Sequence, residues 1–204
     1  MEPRIKNRFL RILSVLALQS NYVLATRFVR GGVEPKLPWD IFPFEPVWIV
    51  PYTLCFPLWA VAGIWLIYHM DDQLFRATVA GLFLTCSIGL STFVIFPTYI
   101  VDPEISGNDF FSQLTLLTQK IDGNYAAFPS AHIYISTLLA LFYGKWYPRF
   151  RAWLGITLLI IVLSTLFTHQ HFLLDVFGGI INGWLGFRFG LWWARTRPVK
   201  GAAL

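Results

Sequence analysis

Three of the chain's four histidines fall in two short segments, Phe128-Pro129-Ser130-Ala131-His132 and Thr168-His169-Gln170-His171-Phe172-Leu173-Leu174-Asp175. Between them the chain is almost wholly apolar, apart from one basic turn at 145 to 151. Ionisable groups are expensive inside a bilayer, so those beside a spanning segment are functional candidates. His171 and Asp175 are four residues apart and share a face if helical. The carboxylate can then accept a hydrogen bond from one imidazole nitrogen and leave the other free as a nucleophile or base. Ser130 stands where a helix would begin, beside backbone N–H groups with no intrahelical partner. That combination binds anions, phosphate especially. With His132, the two segments offer an oriented imidazole, a second imidazole and an anion nest.

The elements that must bring these groups together are membrane helices. Of 204 residues, 56% are hydrophobic and only 13% charged, and the mean hydropathy is +0.58. A soluble domain carries about twice that share of charge. Positions 77–101, 123–144 and 152–174 hold no charged residue, and about 20 apolar residues suffice for one crossing. The expected fold is therefore all-α, a six-transmembrane-helix bundle forming a single integral domain over 1–204. The spans fall at about 9–29, 47–69, 77–96, 129–143, 152–168 and 172–194. The first could be read as a signal peptide, but it runs on through Gln19 and Asn21 without a clean small-residue cleavage site, and a spanning or interfacial helix is the expectation. A proline-rich stretch, 31–46, with Trp39, Phe42 and Phe44, suits the headgroup level. Asp71, Asp72 and Arg76 read as a tight turn. Thr98 to Tyr125 reads as a long polar loop, and Pro129 marks the start of the fourth helix.

Six helices put both termini on one side. That side would hold Arg4, Lys6, Arg8, Arg11, Arg76, Lys145, Arg149, Arg151, Arg195, Arg197 and Lys200, against Arg27, Arg30, Lys36 and Lys120 on the other. The asymmetry predicts cytoplasmic termini in a multi-pass protein of the cell (inner) membrane, with both histidine segments facing outward. It also accounts for the net charge of +5 without nucleic acid. The partner this expects is the bilayer. Cys55 and Cys86 read as small buried hydrophobes. A helix of 17 residues rises about 26 Å, one crossing, so His171 returns to the face where His132 begins. Consecutive helices are neighbours in space.

Asn124-Tyr125-Ala126-Ala127-Phe128-Pro129-Ser130-Ala131-His132, followed by His171-x-x-x-Asp175, resembles the type-2 phosphatidic acid phosphatase superfamily, with its motifs K-x6-R-P, P-S-G-H and S-R-x5-H-x3-D. The Asn–Phe-Pro-Ser-x-His form and the Thr-His-x-His-Phe run look most similar to the branch that includes inositol phosphorylceramide synthases. The resemblance implies a lipid phosphatase or phosphotransferase in which His171 attacks phosphorus and carries a phosphohistidine. Asp175 would orient it and His132 would protonate the leaving oxygen. Ser130 would help bind the phosphoryl group, with Lys120, Thr165 and Asn124 as further candidate substrate contacts. No metal and no cofactor is implied. The chain departs from the motifs where Ile95 replaces lysine, Asp102 and Thr165 replace arginines, and Ala131 replaces glycine, whereas Ser164 matches. Substitute cations on the same side are Lys120, Arg27, Arg30 and Lys36. The missing charges motivate an alternative, a catalytically inactive lipid-binding or partner subunit on the same fold. A metal site built from His132, His169, His171 and Asp175 is a third possibility. His169 otherwise reads as a structural interfacial histidine.

Overall fold

The last helix organises the molecule. In a computed structural model that describes residues 2–197, eight α-helices follow one another: α1 Pro3–Gln19, α2 Asn21–Phe28, α3 Ile49–His69, α4 Asp72–Ile95, α5 Phe110–Asp122, α6 Ala131–Trp146, α7 Arg151–Phe167 and α8 Leu173–Thr196. Helix α8 packs along α4 on one side and α6 on the other. Small residues make this possible. Gly179, Gly183, Gly186 and Gly190 recur at spacings of four, three and four, so they line one face of the helix. A Cβ on Gly183 would sit 2.6 Å from the carbonyl oxygen of Tyr134 in α6, and one on Gly179 would sit 2.7 Å from Cβ of Ile133. On the α4 side, Gly186 faces Gly81 backbone to backbone. Inside a membrane, close backbone approach of this kind replaces the hydrophobic drive that assembles soluble cores. Asn182 Nδ2 adds an interhelical bond, donating to the carbonyl of Thr85 at 3.1 Å.

The two ends of the bundle differ in chemistry. At one end Arg8 of α1 donates to the carbonyls of Leu66 and Ile67 and pairs with Asp72. Gln73 reaches the carbonyl of Ala194 there. Arg4, Arg8, Arg11, Arg76, Lys145 and Arg195 gather around this end. At the other end lie both histidine segments and α5. Lys200, counted above with the basic residues, lies outside the described residues.

Several elements differ from the sequence reading. The first helix is split at Ser20, where the Ser20 hydroxyl and the Asn21 amide both bond the Ala17 carbonyl and compete for the end of α1. Asp71 and Asp72 form a helix start and not a tight turn: the Asp71 side chain accepts from the Leu74 N–H, and Asp72 is the first residue of α4. Within the presumed polar loop sits α5, capped by Asp109 and closed by Gly123 at φ 72°. Its buried residues are Ser112, Thr115, Thr118 and Gln119. The apolar residues that recur at helical spacing, Phe110, Leu114, Leu117 and Ile121, lie on the opposite face, and Phe110, Leu117 and Ile121 are exposed. Helix α6 begins at Ala131, after Pro129, and runs to Trp146.

Four segments are long and apolar enough to cross a bilayer: Pro3–Phe28, Pro46–His69, Asp72–Ile95 and Pro148–Phe167. Helix α6 has only 16 residues. Helix α8 has 24 but carries Asp175, Asn182 and Arg188. The described residues contain no strand, only isolated bridges between Val33 and Thr98 and between Tyr99 and Tyr125.

Candidate active site

The N-termini of α6 and α8 meet, and the backbone joins them. The Ser130 N–H donates to the Asp175 carbonyl at 3.1 Å. His132 lies in the first turn of α6. His171 is not helical; it precedes α8, and its N–H donates to the Thr165 carbonyl at 3.1 Å. The last turn of α7 therefore fixes one side of His171. Asp175 fixes the other. One carboxylate oxygen accepts from the Phe172 N–H at 2.9 Å and stands 3.4 Å from His171 Nδ1. The expected pairing of His171 with Asp175 is a 3.4 Å approach with no hydrogen bond on Nδ1, at the head of α8 and not along a helix face.

The two imidazole rings are 6.2 Å apart, centroid to centroid. That leaves room for one tetrahedral centre between them. His132 sits in an aromatic box, with ring centroids of Tyr52 at 4.1 Å, Phe56 at 5.4 Å and Trp59 at 5.5 Å. Its Nε2, the Ser130 hydroxyl, His171 Nδ1 and one Asp175 oxygen are buried without a hydrogen-bond partner. Buried polar atoms are nearly always paired, so four orphans on these four residues mark a place built for a polar group. The N–H groups of Ala131, His132 and Ile133 likewise have no partner among the described residues. The head of α8, by contrast, is closed by carboxylates, since Asp40 accepts from the Leu173 N–H at 2.9 Å. The α6 terminus is the one left for an anion.

His171 opens into a cavity of about 220 Å³ shared with Glu34, Lys36, Asp40, Asp102 and His169. Lys36 is its one cation, with Nζ 5.6 Å from the Phe172 ring. The other candidates lie apart. Lys120 is exposed on α5, two residues from Asp122 and so about 200° around the helix from it. Arg27 is exposed at the end of α2, and Arg30 bonds the carbonyls of Thr26 and Val29. Thr165 is fully buried; its hydroxyl bonds the Val162 carbonyl, and only its backbone serves His171. Asn124 donates to Asp102 at 2.8 Å and to the Ile100 carbonyl, bracing the loop. Burial pushes the Asp102 carboxyl above the usual carboxylate range, against the pull of that Asn124 bond. Ile95 projects outward, 81% exposed. His169 Nε2 is 2.8 Å from the Phe42 carbonyl, a structural engagement. No group of three or more His, Cys, Asp or Glu side chains is placed to hold a metal among the described residues.

Three features carried no motif. Asp122, at the end of α5, accepts a 2.8 Å hydrogen bond from the Tyr52 hydroxyl, whose ring covers His132. Burial raises the Asp122 carboxyl, while the Tyr52 bond and the nearby His171 pull it down. Asp40 was hidden in the proline-rich stretch. The third is a half-open apolar groove of about 250 Å³ between α3, α6 and α7, lined by Leu58, Trp59, Trp65, Leu139, Leu158 and Ile161 among others. Trp59 belongs to both the groove and the box around His132, and its indole N–H bonds Ser136 one turn below.

No curated protein matches the chain. The family model described as the PAP2 superfamily matches residues 46–189, from the start of α3 into α8, and covers every residue of the two histidine segments. That superfamily consists generally of phosphatases and phosphotransferases. With most of its length matched in this way, the chain belongs to the PAP2 superfamily.

Proposed function

We propose that the protein is a lipid phosphatase or phosphotransferase that handles a lipid phosphate or diphosphate through a phosphohistidine at His171. The observation that carries this reading is the 6.2 Å approach of His132, in α6, and His171, in the turn before α8, with Asp175 3.4 Å behind His171. Asp175 holds Nδ1 and the proton on it, leaving Nε2 with its lone pair toward the cavity. Nε2 forms the P–N bond while the lipid P–O bond breaks, and His132 gives its proton to the departing oxygen. Water or a second hydroxyl then attacks phosphorus, the P–N bond breaks, and the incoming oxygen's proton returns to His132. The free N–H groups at the head of α6, the Ser130 hydroxyl and the Lys36 charge hold the phosphoryl oxygens, the electrostatic part on which phosphoryl transfer depends. Likeness to the inositol phosphorylceramide synthase branch makes a polyol or lipid hydroxyl an acceptor to test beside water.

The same reading includes six crossings, with α6 and α8 among them. The basic end lies in the cytoplasm and the histidine end faces outward at the cell membrane. Purified protein is expected to release phosphate from phosphatidate or a polyprenyl diphosphate, and His171→Ala to fall to background. Equal rates in the two would end the proposal.

A second reading has its own observation. Glu34, Asp40 and Asp102 line the cavity against one lysine, a poor balance for a phosphoryl dianion. A lipid-binding or partner subunit on this fold would bind lipid phosphate as well without His171 as with it, and would show no turnover over a broad phospholipid panel.

A further inference from the structure

The basic end of the bundle holds a second cavity that the catalytic reading does not use. Arg4, Arg8 and Arg11, spaced four and three apart on one face of α1, converge with Arg76 of α4 around a chamber of about 270 Å³. Asp72 is the one carboxylate in its lining, and it is already shared by Arg4 and Arg8. Arg8 is a structural pin, 3% exposed and bonded to the end of α3. The Arg11 and Arg76 side chains make no ion pair or hydrogen bond among the described residues; the Arg76 guanidinium lies 5.3 Å from the Trp193 ring.

These same two arginines also line a neighbouring groove of about 380 Å³ along α4 and α8, whose other walls include Val79, Phe83, Leu84 and Phe189. They stand at the junction of a cationic chamber and an apolar trough. Helix α3 measures the distance from the histidines. Tyr52 touches His132 and Leu66 touches Arg8, and 14 residues at 1.5 Å each put about 21 Å between those contacts. The two sites cannot share one headgroup.

We propose that this end binds an anionic phospholipid, its phosphate held between Arg11 and Arg76 and one acyl chain lying in the groove. A soluble anion would leave the trough empty. A zwitterionic lipid would bring its own cation into a chamber that already has surplus positive charge. Guanidinium forks suit a phosphate group, and basic pockets between membrane helices are the usual seat for acidic headgroups.

Native mass spectrometry of the whole protein in detergent tests this directly, with phosphatidylglycerol or phosphatidylcholine titrated in. Phosphatidylglycerol is expected to be retained in preference to phosphatidylcholine. Arg11→Gln/Arg76→Gln is expected to weaken its retention about 30-fold, about fivefold for each charge removed. Glycerol 3-phosphate in excess is expected not to displace it. Equal retention of the two lipids by the wild-type protein overturns the proposal, whatever the variant does. Unchanged retention by the double variant, or displacement by glycerol 3-phosphate, overturns it too.

Discussion

At the scale of single residues, the meeting of two histidines and a carboxylate was legible because such groups are rare in apolar sequence. His132, His171 and Asp175 had few other reasons to be there. The supporting carboxylates were not legible. Asp122 and Asp102 sat among other loop charges, and only the fold shows that each is drawn into the site's surroundings. Both are held above their ordinary value of 3.8, with burial as the main cause. The sign of the pH effect follows. A carboxyl with a raised value in the folded state adds stability that is complete below 3.8 and is lost as pH rises through the folded value. Over the same window it acquires a charge facing any phosphate. Asp122→Asn keeps the acceptor for Tyr52 and removes that charge. The variant is expected to bind a lipid phosphate about three- to tenfold more tightly at neutral pH. The advantage should shrink as pH falls toward the carboxyl range. A pH series of KM on wild type and variant checks it, and a constant ratio would exclude electrostatic repulsion as the cause.

At the scale of elements, charge-free runs located the apolar helices well and their ends less well. Side-chain caps decided the ends: Asp71 started α4 earlier than the charge-free run suggested, and Ser20 with Asn21 divided the first helix. Helix α5 was read as loop from its charges, although Phe110, Leu114, Leu117 and Ile121 recur at helical spacing; its inner face is made of hydroxyls and an amide. The glycines of α8 read as weak helix formers, about 1 kcal/mol worse than alanine each, yet contact with α6 and α4 outweighs that preference. Gly183→Val is therefore expected to destabilise the protein by about 1–3 kcal/mol, the scale of overpacking, because its Cβ would lie 2.6 Å from the Tyr134 oxygen. Thermal unfolding in detergent reads this, and a variant as stable as wild type would show that α8 has room to shift. Because Gly183 lies one turn from Gly179, which packs on Ser130, the same substitution is expected to disturb the site.

At the scale of the whole molecule, the separation of a basic end from a histidine end was foreshadowed by charge counting alone. The eight α-helices of the described residues keep that separation. The sidedness can be read chemically. Cys55 and Cys86 are each 1% exposed, so the native thiols give little background. Glu104→Cys and Arg149→Cys place thiols at exposed positions. A membrane-impermeant maleimide is expected to label the first in intact cells and the second only after permeabilisation. The opposite pattern would invert the proposed orientation.

The groove that starts at Trp59 opens between α3, α6 and α7, whose outer faces are apolar. On the proposed function, a substrate reaches His132 by sliding sideways from neighbouring lipid and not by diffusing in from water. What governs turnover is then a two-dimensional quantity, the mole fraction of substrate in the surrounding bilayer or micelle. Adding inert detergent at constant substrate molarity would slow such a catalyst, and short-chain soluble analogues would be poor substitutes however faithful their headgroups.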